Sequence, residues 1–545
     1  MGNPPSWCCK IKDMIQAKKT LEVDKMTSRV TGFINCNGFG NVGEDHFFEA
    51  FLVAHGKIIS FGSSKDIAEK AKSLGGEVVD FNGKCVLPGF VDSHLHIDEL
   101  GMYLNSLDLR GTRSVSELQE KLQNFASKVT TSWILGHGWD QELFIEKRWP
   151  TKDDLDAIED KRPVMISRVC LHAGVLNSKA LEISGIPSPS GIVVEGDFQR
   201  ARDVFKQSLS LEDLKKMIKD ALRHASNLGL TCLGFVSCDE RALSALMSLW
   251  RDGEIATKIR VYLEPGRRCQ TGERMYEDNE ILQALVNLGI KRGFGDEMLK
   301  VQGIKILADG SLGARTAWLT APYSDKPDQQ GFPNIGKSEL ATLIAQADGA
   351  GLQLAIHGIG DATIDMILDA FNDSKVYNRG HRIEHLSVLR PDQIKRLKEL
   401  GLYASVQPHF VISDRWAIER LGPERTSFIH PFKSILESGI PMAFGTDAPV
   451  EDVNPWQTVY AAVTRGKFED IPLAQATPTE ALSIKEAIYC YTKAAGTVMQ
   501  DPYIGVLKEG GFADFIVVSE DPFKADPARL KDIKVLKTYV NGMPV

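Results

Sequence analysis

At 545 residues the chain is longer than one ordinary domain, although a barrel carrying insertions can absorb most of it. Apolar residues at 43% and charged residues at 25% give a soluble globular balance, and a net charge of −8 with no basic patch excludes a nucleic-acid partner. Nine scattered cysteines, without a Cys-x-x-Cys pair, exclude a disulfide framework and point to a reducing, cytoplasmic setting.

Residues 1–28 read as a leader, without a secretory apolar region. Met1-Gly2-Asn3-Pro4-Pro5-Ser6 fits a loose myristoylation pattern, and Cys8-Cys9 could take a second acyl chain. Membrane anchoring through Gly2 and Cys8 or Cys9 is therefore the alternative location, and membrane association depends on that acylation. From 29 to 85 short apolar runs alternate with Gly and Asn, as in Phe47–Val53 and Lys57–Gly62, which reads as a β-meander. Residues 500–545 echo it with Ala513–Val518 and Val535–Val545, so the two ends are expected to meet in one small β-sandwich.

Between them, 86–499 alternates apolar strands with amphipathic helices. Strands are predicted at Val86–Val91, Leu230–Phe235, Ile259–Leu263, Val301–Leu307, Leu352–His357, Arg382–Leu386, Leu402–Val406 and Pro441–Gly445. Helices are predicted at Leu211–Asn227, Glu273–Leu288, Ser338–Ala347, Asp361–Phe371 and Pro391–Leu400, the first on a clear 3.6-residue apolar period. Eight alternations make an α/β fold, a (β/α)8 TIM-like barrel, with about 105–205 as an insertion after its first strand.

In such a barrel the chemistry sits at the C-terminal strand ends, and residues of ligand type fall there. Strand one runs into His94-Leu95-His96, whose two imidazoles, two positions apart on a strand, look the same way. Strand four carries Lys305 in an apolar run, strand five ends at His357, strand six at His385, and strand eight at Asp447. Taken one at a time, each also suits a core histidine, a paired lysine or a helix cap.

The set resembles the amidohydrolase superfamily, and its family 3, the group with the N-substituted formamide deformylases. The motifs that carry the resemblance are Leu87–His96, Gly136-His137-Gly138-Trp139-Asp140, Lys305–Ala317, Gly445–Pro449 and Ala513–Val517. The resemblance implies a metallo-barrel with a β-sandwich made from both ends. It also implies a binuclear centre, with two zinc ions per chain as the default. His94, His96 and Asp447 would hold one ion and His357 and His385 the other, bridged by Lys305 after CO2 converts its amine to a carbamate. The implied reaction is hydrolysis of a C–N bond in an amide, formamide or cyclic amide by metal-activated hydroxide, with Asp447 as catalytic proton shuttle. The alternatives are a mononuclear deaminase of the same superfamily, against which Lys305 speaks, and a non-catalytic scaffold derived from it.

Expected substrate contacts are His137 and Trp139 in the insertion, His172, Arg315, and Gln407 and His409 after strand seven. For Trp139 core packing competes with a pocket wall, and for Arg315 a bracing role does. Cys170-Leu171 and Val175 replace residues the family usually carries around His172, and Leu230–Phe235 lacks the common His-Asp ending, so the substrate departs from the family's usual one. The partners expected are a small-molecule substrate and a second copy of the chain, with no nucleic acid.

Overall fold

The computed structural model describes residues 30–42, 45–168, 173–265 and 279–545. The leader with Gly2, Cys8 and Cys9 lies outside the described residues, as does His172. Among the described residues no helix is long and apolar enough to cross a membrane.

Eight parallel strands form a nearly closed barrel: β1 Phe90–Leu95, β2 Leu230–Cys238, β3 Lys258–Leu263, β4 Leu299–Leu307, β5 Gln353–Gly358, β6 Arg382–His385, β7 Tyr403–Val406 and β8 Met442–Phe444. Their order in the sheet is their order along the chain, as a TIM-like barrel requires. The seam between β8 and β1 is tied by Ser93 Oγ donating to Phe444 O at 2.8 Å and Asp447 N–H donating to His94 O at 2.7 Å. Strand residues are buried on both faces, because helices cover the outside and side chains fill the inside.

The first strand departs from its predicted span. Cys85–Pro88 belongs to the terminal sheet, where it pairs with Asn37–Val42 on one side and Phe515–Val518 on the other. Pro88-Gly89 is the joint at which the chain leaves that sheet for the barrel. A Cβ on Gly89 would lie 2.2 Å from Thr231 Cγ2, so only glycine lets β1 settle against β2 there. The predicted helix from Glu273 is seen as Glu280–Asn287, and its first residues lie outside the described ones.

Both chain ends build the second layer, one sheet of four strands and one of six. Phe33, Phe51, Phe515 and Tyr539 pack between them, with Phe515 and Tyr539 stacked at 4.4 Å. At the start of β3 the buried Lys258 ammonium contacts both Asp514 oxygens and Asn541 Oδ1, each at 2.7 Å, and thereby pins barrel to sandwich. The segment between β1 and β2 holds its own five-stranded sheet and its own core, including Leu118, Trp139, Phe144 and Val164.

Helix Leu211–Asn227 begins with a Ser210/Asp213 capping box and buries Leu214, Met217, Ile218, Ala221 and Leu222. It packs on helix Ile97–Leu104, which starts directly after His96. A Cβ on Gly101 would lie 2.3 Å from Met217 O, so this glycine permits the close crossing that backs His96.

Candidate metal centre

The C-terminal ends of β1, β4, β5, β6 and β8 bring the expected ligands together. Donor atoms of His94, His385 and Asp447, all buried, lie within 4.8 Å of one another. Asp447 Oδ1 is 3.4 Å from His94 Nε2 and 3.1 Å from His96 Nε2, and Lys305 Nζ is 3.1 Å from His94 Nε2. The His357 and His385 rings are 4.3 Å apart, and His94 and His385 are 4.9 Å apart. His357 lies outside the 4.8 Å group but against one of its members.

Local backbone explains the convergence. Asp92 and His94 alternate with Ser93 along β1, so acid and imidazole share a face. His385 (φ 72°) and Asp447 (φ 58°) take the left-handed conformation just as their strands end, which turns each side chain into the barrel mouth. That conformation costs about 1–2 kcal/mol for a non-glycine residue and is held by the surroundings. For Asp447 the hold comes from Asp92, which accepts from Thr446 Oγ1 at 2.7 Å, Tyr491 Oη at 3.1 Å and His94 N–H at 3.0 Å.

Hydrogen bonding also decides which ring nitrogen can bind a cation. His94 Nδ1 lies 2.5 Å from Glu384 Oε2, His385 Nδ1 2.7 Å from Gln407 Oε1, and His357 Nε2 2.9 Å from Gly310 O. Each partner oxygen accepts, so the lone pair is left on His94 Nε2, His385 Nε2 and His357 Nδ1. Burial, then the Lys305 charge, lowers the His94 pKa; burial with His357 and His94 beside it holds His385 well below the usual range. Burial works against the Asp447 carboxylate, but His94 and His96 hold it well below its ordinary value. Neutral imidazoles and a carboxylate in one buried cluster are the donor set that zinc-like ions take. The residues fit a metal centre.

A family model described as Amidohydrolase family matches residues 77–545. The chain belongs to the amidohydrolase family. A Bacillus subtilis (strain 168) protein named amidohydrolase YtcJ is 32% identical over 517 residues, spanning 91% of this chain and 96% of that protein. The N-substituted formamide deformylase of Arthrobacter pascens is 25% identical over 533 residues, spanning 91% and 94%. An uncharacterized metal-dependent hydrolase from Pyrococcus horikoshii OT3 superposes with a TM-score of 0.83 at 38% identity, covering 92% of this chain and 99% of that one. This amidohydrolase is accordingly a metal-dependent hydrolase with a candidate metal site at its barrel mouth.

The amidohydrolase places its other expected site residues unevenly. Trp139 is fully buried in the insertion's core, where its indole N–H donates to Ile166 O at 3.2 Å, so it packs the insertion. Arg315 is clasped by Asp325, with Nη2 at 2.5 Å, and braces the loop after β4. Among the described residues His137 Nε2 makes no hydrogen bond, though Asp108 lies 3.8 Å away; its ring sits 3.8 Å from the tilted Tyr103 ring, and its Nδ1 contacts Ser106 Oγ at 2.7 Å. Gln407 spends its oxygen on His385, and among the described residues its buried amide nitrogen finds no hydrogen-bond partner. His409 pairs with Glu451, and despite burial that carboxylate raises the imidazole pKa.

Three buried acids of the centre were missed by the sequence reading: Asp92, Asp309 and Glu384. Asp309 accepts backbone N–H bonds from Trp318 (3.1 Å), Ile359 (3.1 Å) and Gly360 (2.9 Å), fixing the ends of β4 and β5 together. The available signal was a charge inside an apolar strand, Arg382 and Glu384 sharing one face of β6 being the clearest case.

Proposed function

We propose that the amidohydrolase cleaves a C–N bond of an amide, formamide or cyclic amide at a binuclear zinc centre. His94, His96 and Asp447 would hold one ion, and His357 and His385 would hold the other. Lys305, as its carbamate, would supply an anionic ligand to both. The observation that carries the reading is the Asp447 carboxylate flanked by His94 and His96 Nε2, with Lys305 Nζ against the same imidazole.

Lys305 as an ammonium would repel two cations, whereas its reaction with CO2 releases a proton and leaves an anionic ligand with two oxygens. Lys305 is buried at the barrel mouth, and it is the neutral amine of a lysine that captures CO2. When bound, the ions would polarise the scissile carbonyl and acidify a water. Asp447 takes the proton of the attacking water and delivers it to the nitrogen of the breaking C–N bond, which is released as an amine or, from a cyclic amide, stays on the ring-opened product as an amino group. His137, Gln407 and His409 offer polar atoms to the substrate. The deformylase name of one relative supports the choice of amides and formamides.

The test is metal content per chain on protein purified without chelators, joined to a screen of formamides, amides and lactams. About two ions are expected, with release of an amine or ring opening of a lactam. One ion with ammonia release would replace this reading with the mononuclear deaminase, and no metal after reconstitution with zinc and bicarbonate would replace it with the scaffold.

A further inference from the structure

We infer that Glu384 is a positioning residue for the metal centre, holding His94 in the Nδ1–H tautomer so that its Nε2 lone pair faces Asp447 and Lys305. The inference rests on the reading of this cluster as a metal site.

Glu384 and Arg382 stand on β6 with their side chains wholly removed from solvent. Glu384 Oε2 reaches His94 Nδ1 on β1 at 2.5 Å. Its other oxygen lies 2.9 Å from Arg382 Nε, an ion-pair contact that falls off the hydrogen-bond axis. Arg382 is anchored in turn: Nη2 donates to Ser93 O at 3.0 Å, and the guanidinium lies 4.2 Å from the Tyr262 ring centre. Tyr262 Oη donates to Gln353 Oε1 at 2.7 Å, closing a run of contacts across β1, β3, β5 and β6.

The chemistry requires an acid at this place. A carboxylate only accepts, so the proton of a neutral His94 must sit on Nδ1. Glutamine could accept from or donate to the same nitrogen and would leave both tautomers open. Arg382 places its permanent positive charge 2.9 Å from the second carboxylate oxygen, a counter-charge inside the barrel for an acid removed from water. A partner for Arg382 alone would not need its second oxygen on His94. Outer partners of metal-binding histidines typically change metal affinity by about 10–100-fold when removed.

The experiment is a zinc titration of the full chain against a competing chelator, for wild type, Glu384→Gln, His94→Ala and the double variant. Glu384→Gln is expected to weaken zinc binding about 10–100-fold in the wild-type background and by less than about threefold in the His94→Ala background. Equal loss in both backgrounds, or none in either, overturns the inference. Histidine 15N NMR of the metal-free wild type, with His94 assigned through His94→Ala, serves where Glu384→Gln fails to fold. A protonated Nδ1 is expected, and a protonated Nε2 overturns the inference whatever the titrations give. A wild type that binds no zinc refutes the functional reading itself, a result distinct from a metal-binding Glu384→Gln of wild-type affinity.

Discussion

Asp514→Ala tests the joint between barrel and sandwich. Lys258 is fully buried and the Asp514 side chain is 3% exposed, with both carboxylate oxygens 2.7 Å from Nζ. Asp514 Oδ1 also accepts the Asn541 N–H at 2.8 Å. Removing one partner of a buried pair costs about 3–5 kcal/mol, because the remaining charge stays out of water without compensation. The Asn541 amide adds roughly 1 kcal/mol for its lost acceptor. Asn541 Oδ1, still at 2.7 Å from Nζ, offsets part of this, so about 3–5 kcal/mol overall is expected. That lowers the folded-to-unfolded ratio by about two to four powers of ten. Urea unfolding at 25 °C, followed by far-UV circular dichroism, measures it. Lys258→Met in the same chain should return most of the loss, since replacing a whole buried ion pair by apolar groups is often neutral or stabilising. A loss below about 0.5 kcal/mol, typical of a surface change, would refute the reasoning, as would a double variant no better than Asp514→Ala.

Lys305→Ala should lower bound metal and activity together, with partial rescue by a small carboxylic acid such as propionate; full occupancy without rescue would remove the carbamate. Asp447→Asn should lower turnover by at least about 10²–10⁴-fold while the far-UV circular dichroism of the fold stays unchanged, and unchanged turnover would remove the proton shuttle. His381 is buried, accepts the Leu354 N–H at Nδ1 (3.0 Å), and has its pKa pulled by burial from 6.5 to about 4 although Asp348 opposes. Its folded pKa lies below the unfolded value, so the unfolded chain binds the extra proton between those values. Its contribution is full above pH 6.5 and declines toward pH 4, by at most about 3 kcal/mol. The slope of unfolding free energy against pH over that window should flatten in His381→Gln, and an unchanged slope would dismiss this histidine as its source.

The amino-acid sequence by itself determined the barrel, the two terminal runs that form the sandwich, and the strand-end positions of His94, His96, Lys305, His357, His385 and Asp447. Strand and helix periodicity are local properties, and a histidine or aspartate at the end of an apolar run is visible without knowing its neighbours. Tertiary structure decided what those residues face. The Glu384 contact with His94 joins positions 290 apart, and the Asp92 contact with Thr446 joins positions 354 apart, so no window of sequence could display either. Pro88-Gly89 proved to be a boundary between two sheets because Cys85–Pro88 finds its partner strand at Phe515–Val518, at the other end of the chain. Trp139 and Arg315 carried motif signals, yet packing in the insertion and the Asp325 carboxylate claim them, since burial and pairing depend on elements that only the folded chain brings within reach.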